Sequence, residues 1–174
     1  MRYNVTYSFF VSLFIGILIP SCVKKPVYPS TPVIAYQDFI RYGKSFLTPD
    51  SAELVISFTD NEGDIGLTQK DTFGINKLGN LWMIYYYLDT LSGKFVPYDL
   101  IKSTPEIDTL KISYRVPVVL REQDKSEPVK GLIYAKLKQP SMAYHNKVMY
   151  KVYLFDLAGH YSNRIDTPVF DFVP

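Results

Sequence analysis

The stretch Ala52-Glu53-Leu54-Val55-Ile56-Ser57-Phe58-Thr59 sets the fold class. Leu54, Ile56 and Phe58 occupy one set of alternate positions, and Glu53, Val55, Ser57 and Thr59 occupy the other. Successive side chains of a strand point to opposite faces, so this pattern predicts a β-strand with one face on a core. Thr109–Val116 alternates in the same way, with Leu110, Ile112 and Tyr114 against Lys111, Ser113 and Arg115. Asn80–Asp89 is an aromatic run that Ser92-Gly93 turns into Lys94–Pro97. Val129–Leu137 and Lys147–Asp156 are apolar at both phases and predict strands near the centre of a sandwich. Val33–Ile40 opens the series and Arg164–Val173 closes it, with Pro168 marking an edge or a bulge. No stretch carries a helical period. The expectation is an all-β antiparallel sandwich of seven or eight strands, with a closed barrel as the alternative. Its predicted core includes Leu54, Ile56, Phe58, Trp82, Ile112, Ile133, Val152 and Leu154. Within Lys147–Asp156 the choice of Val152 and Leu154 over Tyr153 and Phe155 is not fixed by alternation.

Upstream of these strands the chain changes character. Arg2 precedes the apolar run Val11–Ile19, which is too short to cross a bilayer core comfortably, since spanning takes roughly 20 residues. Ile19-Pro20-Ser21-Cys22 follows, and Cys22 is the single cysteine of the 174 residues. A lone cysteine closes no disulfide within the chain, so the sandwich must rest on its core. Residues 23–32 carry Pro26, Pro29 and Pro32, a spacing that favours an extended tether of about 3.1 Å per residue. The expected division is a leader over 1–21, Cys22 with its Pro-rich tether over 22–32, and one β domain over 33–174. With 19 basic and 17 acidic residues and only the Lys24-Lys25 doublet, the chain lacks the basic stripe of a nucleic-acid binder.

Two loops stand out. In Asp60-Asn-Glu62-Gly-Asp64-Ile-Gly66, three carboxylates alternate with residues that let the backbone wrap, the raw material for calcium. Asp60, Glu62, Asp64 and Asp71 fall at EF-hand ligand positions, but Ile65 replaces the glycine that such a loop needs for its sharp turn. The EF-hand is rejected, and a calcium ion in a sandwich loop stays open beside a plain turn in which Asp and Asn bond nearby amides. If an ion is held, Asp156 is the best candidate for a further oxygen. Ile65 and Leu67 are expected to pack back onto the sheet. The second loop, Asp156-Leu-Ala-Gly159-His160-Tyr-Ser162-Asn163, reads as a hairpin reversal, with Asp156 capping it and Gly159 left-handed.

Tyr85-Tyr86-Tyr87 must place side chains on both faces of its strand. An exposed tyrosine row could bind a sugar ring or a protein partner, while the plainer reading is aromatic filling of a sandwich. His145 and His160 are not at metal-ligand spacing, and no nucleophile-elbow, zinc-protease or phosphate-loop motif is present. Paired carboxylates of a glycan hydrolase would meet only in the fold.

The segment ending at Cys22 resembles a bacterial lipoprotein signal peptide. Together with the D-x-E-G-D-I-G loop and the D-x-A-G-x-x-S-N hairpin, it is similar to a group of uncharacterised lipoproteins common in Bacteroidota. The resemblance implies an immunoglobulin-like sandwich, exported and held in the membrane through acylated Cys22, with outer-membrane attachment expected. It brings no activity. Surface-displayed members carry acids after the cysteine, whereas Val23-Lys24-Lys25 follows here, which leaves the side of the membrane open. The functional expectation is a non-catalytic binding or assembly module of the cell envelope whose partner is an envelope protein or glycan. A glycan-binding lipoprotein of a nutrient-uptake system and an envelope glycan hydrolase are the alternatives.

Overall fold

In the computed structural model, residues 24–43, 45, 49–98, 110–119, 126–138 and 145–172 are described. Cys22 and the leader lie outside them. The described residues form nine strands: β1 (Val33–Tyr42), β2 (Ser51–Asp60), β3 (Leu81–Asp89), β4 (Lys94–Pro97), β5 (Lys111–Tyr114), β6 (Val129–Lys138), β7 (Lys147–Leu154), β8 (Ile165–Asp166) and β9 (Phe170–Asp171). Among the described residues the only helical element is one 3-10 turn, Gly74–Lys77.

The strands form two antiparallel sheets, so the sandwich holds and the barrel does not. One sheet has the order β1-β2-β6. In the other, β3 and β7 are the centre. β4 and β5 line up end to end along the free side of β3, and β8 and β9 do the same along β7. The second sheet is thus four strands wide though it contains six. In immunoglobulin notation β1-β2-β6 takes the places of A-B-E, and β3 and β7 with β8/β9 take those of C-F-G. The last predicted strand is split in two around Pro168. Thr167 turns its hydroxyl to the Tyr150 amide there, so a side chain replaces a ladder bond.

The alternation of β2 is realised as read: Ala52, Leu54, Ile56 and Phe58 are buried. They meet Leu81, Met83 and Tyr85 of β3 and Val148, Tyr150, Val152 and Leu154 of β7 in one core. Val152 and Leu154 are the inward pair, though Phe155 is also buried where the strand ends. Ile112 and Ile133 pack partly buried against this core.

Two expectations are corrected. Trp82 is not a core residue. Leu81, Met83 and Tyr85 set the inward phase of β3, so Trp82 lies on the outer face beside Tyr153, its cross-strand neighbour. Its indole N–H donates to the Gly79 carbonyl at 3.0 Å. Among the described residues β6 is not a central strand either. It pairs there only with β2, and Leu132 and Tyr134 are about half exposed. Both of its faces carry apolar residues, but only one has a sheet to pack on.

Candidate functional site

The inward rows of β2 and β7 do not stop at their last apolar residues. Asp60 follows Phe58 by two positions and Asp156 follows Leu154 by two, so strand geometry points both carboxylates into the same end of the sandwich. Both residues have no exposed surface. Asp60 ends a strand of one sheet and Asp156 follows a strand of the other.

The loop after β2 brings a third acid. Oδ2 of Asp60 accepts the backbone N–H groups of Gly63 at 2.6 Å and Asp64 at 3.2 Å. Gly63 has φ +71°, a conformation that glycine adopts without steric cost. This capped turn returns the chain so that one carboxylate oxygen each from Asp60, Asp64 and Asp156 lies within 4.8 Å of the others. Asp64 Oδ2 also accepts the Ala158 N–H at 3.2 Å, which ties the loop to the hairpin. The sequence therefore anticipated three members of this group. Glu62 is not among the three, and Asp71 is used locally, where it accepts from the amide and hydroxyl of Thr68.

Below the acids sits Asn80, which the sequence marked only as the start of a strand. It is fully buried. Its Nδ2 donates to the carbonyls of Ile65 at 2.5 Å and Phe155 at 3.1 Å, and its Oδ1 accepts the Val116 N–H at 3.0 Å. One side chain thus fastens both acidic loops and the segment after β5. Ile65 and Leu67 are buried, so the loop does close back onto the sheet. Leu67 donates to the Val116 carbonyl at 2.8 Å, and Arg115 holds the carbonyls of Thr68, Asp71 and Asn76.

Burial pushes the Asp60 carboxyl above the usual carboxylate range, and the charges of Asp64 and Asp156 add to this. Asp64 is raised by burial and then by Asp156. Three like charges in a dry corner disfavour ionisation unless something positive joins them. His160 supplies part of that charge. Its Nδ1 lies 2.9 Å from Asp156 Oδ2, and its backbone N–H donates to Oδ1 at 2.7 Å. The hydrogen bond and the charge of Asp156 raise the His160 imidazole above 6.5. His145, by contrast, stacks on Tyr87 with centroids 3.9 Å apart, and burial lowers it below 6.5.

An NMR titration should therefore find the two histidines on opposite sides of 6.5. The stabilising contribution of His160 is complete below the unfolded value and is lost as pH rises through its higher folded value. That of His145 is present above the unfolded value and is lost as pH falls through its lower one. Coincident midpoints would refute both assignments.

The tyrosine run does not form a row. Tyr85 has no exposed surface and belongs to the core, so it offers no ring to a ligand. Tyr87 is on the same face and is covered by His145. Tyr86 is on the other face, with the Lys151 ammonium 4.9 Å from its ring. The aromatic surface of the second sheet lies elsewhere. Trp82 and Tyr153 have their ring planes 4° apart, Tyr161 adjoins Tyr153, and the Arg164 guanidinium lies 5.4 Å from the Tyr153 ring. Trp82 was the available signal for this surface, but nothing in an aromatic strand reveals which phase faces out.

No family model, no curated protein and no solved structure matches the chain.

Proposed function

We propose that this protein is a non-catalytic, lipid-anchored binding or assembly module of the bacterial cell envelope, of the kind found among Bacteroidota lipoproteins. The observation that carries the reading is Ile19-Pro20-Ser21-Cys22 at the end of a short apolar run, followed by the Pro-rich tether. Residues 24–32 form no strand before β1 begins at Val33, but Tyr28 and Pro29 are hydrogen-bonded to Asn61 of the domain, so the spacer is the stretch between Cys22 and Tyr28. Acylation at Cys22 with two or more chains would hold the protein durably, because each buried CH₂ contributes about 0.8 kcal/mol. The acidic cluster favours a structural role over hydrolysis. Asp60 and Asp156 are wholly buried, and Asp60 Oδ2 and both Asp156 oxygens are held by backbone amides and His160, which leaves none of the three open to a substrate. The outer-face surface around Trp82, Tyr153 and Tyr161 is what the sandwich offers to an envelope protein or glycan.

Replacing Cys22 tests the anchor. In cells fed a labelled fatty acid, Cys22→Ser should lose the label and accumulate as an unprocessed precursor. Normal labelling of the variant, or a wild-type mature N-terminus at another residue, would overturn the reading.

A further inference from the structure

The geometry points to a calcium site built from Asp60, Asp64 and Asp156, in which one ion staples the two sheets together at the loop end of the sandwich. This goes beyond the anchor and does not depend on it.

Two independent observations carry the site. The first is convergence: three carboxylate oxygens from three chain positions lie within 4.8 Å of one another. Oxygens on opposite sides of a calcium ion, each bonded at about 2.3–2.6 Å, stand roughly that far apart. The second is unmet bonding capacity. Oδ1 of Asp60, on a residue with no exposed surface, is buried without a hydrogen-bond partner, and so is Oδ1 of Asp64. Only one further side-chain atom among the described residues is in that state, Oδ1 of Asn76. The deficit is therefore concentrated where the acids meet. Buried polar atoms are nearly always satisfied, and a buried anionic oxygen left bare is among the most costly to maintain. A cation satisfies both oxygens in one step.

The surroundings fit a hard ion. Every donor is a carboxylate, and calcium takes six to eight oxygens in a flexible geometry that loop carbonyls and water can complete. His160 hydrogen-bonds to Asp156 and to neither of the other two acids. It leaves the bare oxygens of Asp60 and Asp64 uncompensated. The three acids are also held by protein bonds in place: Gly63 and Asp64 amides on Asp60, the Ala158 amide on Asp64, and the His160 amide on Asp156. The site is thus assembled before an ion arrives. Asp60 belongs to the β1-β2-β6 sheet and Asp156 follows β7 of the other, so an ion between them joins the two layers. That cross-link is one the lone cysteine cannot make.

The test uses the full chain purified in detergent and stripped with chelator. Thermal unfolding is followed in chelator, in 5 mM calcium and in 5 mM magnesium, beside a calorimetric titration with calcium chloride. An ion at about 100 times its dissociation constant should raise the midpoint by roughly 5–10 °C. Asp64→Asn should melt in chelator at or above wild type, because one repelling charge is gone, and should lose the calcium shift. If that variant fails to fold, the wild-type titration decides. An unchanged midpoint with no binding heat would overturn the site. So would an equal shift in magnesium, which marks general screening, or an undiminished calcium shift in Asp64→Asn.

Discussion

Asn80→Leu should cost about 3–6 kcal/mol and lower the unfolding midpoint by roughly 10–20 °C. Leucine is close in size, so the loss is not a cavity. It comes from three backbone groups, the carbonyls of Ile65 and Phe155 and the amide of Val116, that stay buried and lose the side chain that bonds them. Each such group costs about 1–3 kcal/mol, and a domain of this size has about 5–15 in total. Asn80→Asp separates pattern from polarity. It keeps the acceptor for Val116 but turns an acceptor toward two carbonyls, and it buries another charge in an end of the sandwich that already buries Asp60 and Asp156. It should be at least as damaging as leucine. Denaturant unfolding of the three proteins checks this, and a loss under 1 kcal/mol in both variants would show that the network is not needed.

Gly66→Ala should cost about 3 kcal/mol or more, the upper end of what overpacking does. The reason is contact, since Gly66 is not among the glycines with positive φ. A Cβ there would overlap Val118 Cα and lie 2.6 Å from Val118 N and 2.7 Å from the Pro117 carbonyl oxygen. All three are backbone atoms and cannot rotate away. The loop must lift off the segment after β5, breaking the Leu67–Val116 hydrogen bond that closes it. Gly93→Ala is the comparison. It meets nothing within 4 Å and has φ +68°, so it carries only the left-handed penalty of about 1–2 kcal/mol. Equal melting of the two variants would contradict the steric account.

How much of this could be read from the sequence depends on where phase is defined. In β2 one face is wholly apolar and the other polar except at Val55, so the inward row is fixed, and continuing it by two residues reaches Asp60. In the run ending at Asp156 both phases are apolar, and only the packed fold selects Val152 and Leu154. The same ambiguity misplaced Trp82 and made β6 look central. Glu62 and Asp64 alternate with Asp60 in sequence, but alternation loses its meaning in a loop. The Asp60 carboxylate caps the turn, and the chain comes back on Asp64. Asn80 was illegible for a different reason: an asparagine before a strand is an ordinary turn residue, and its three partners lie 15, 36 and 75 positions away.

The first and last strands of the domain are stitched to each other. Asn163 uses its side-chain amide as a surrogate strand, accepting the Ile34 N–H at 2.8 Å and donating to the Ile34 carbonyl at 2.9 Å. Phe39 stacks on Phe170 at 4.0 Å, and Arg41 donates to the Asp171 carbonyl. These contacts span 129 to 131 residues. Contacts so distant along the chain make folding slow, on a scale of milliseconds to seconds, because a large loop must close before any of them forms. Until Phe170 has been delivered, β1 has its β2 ladder but lacks the ring that covers Phe39. Acquisition of the native state is therefore a cooperative event that waits on the docking of β9 against β1.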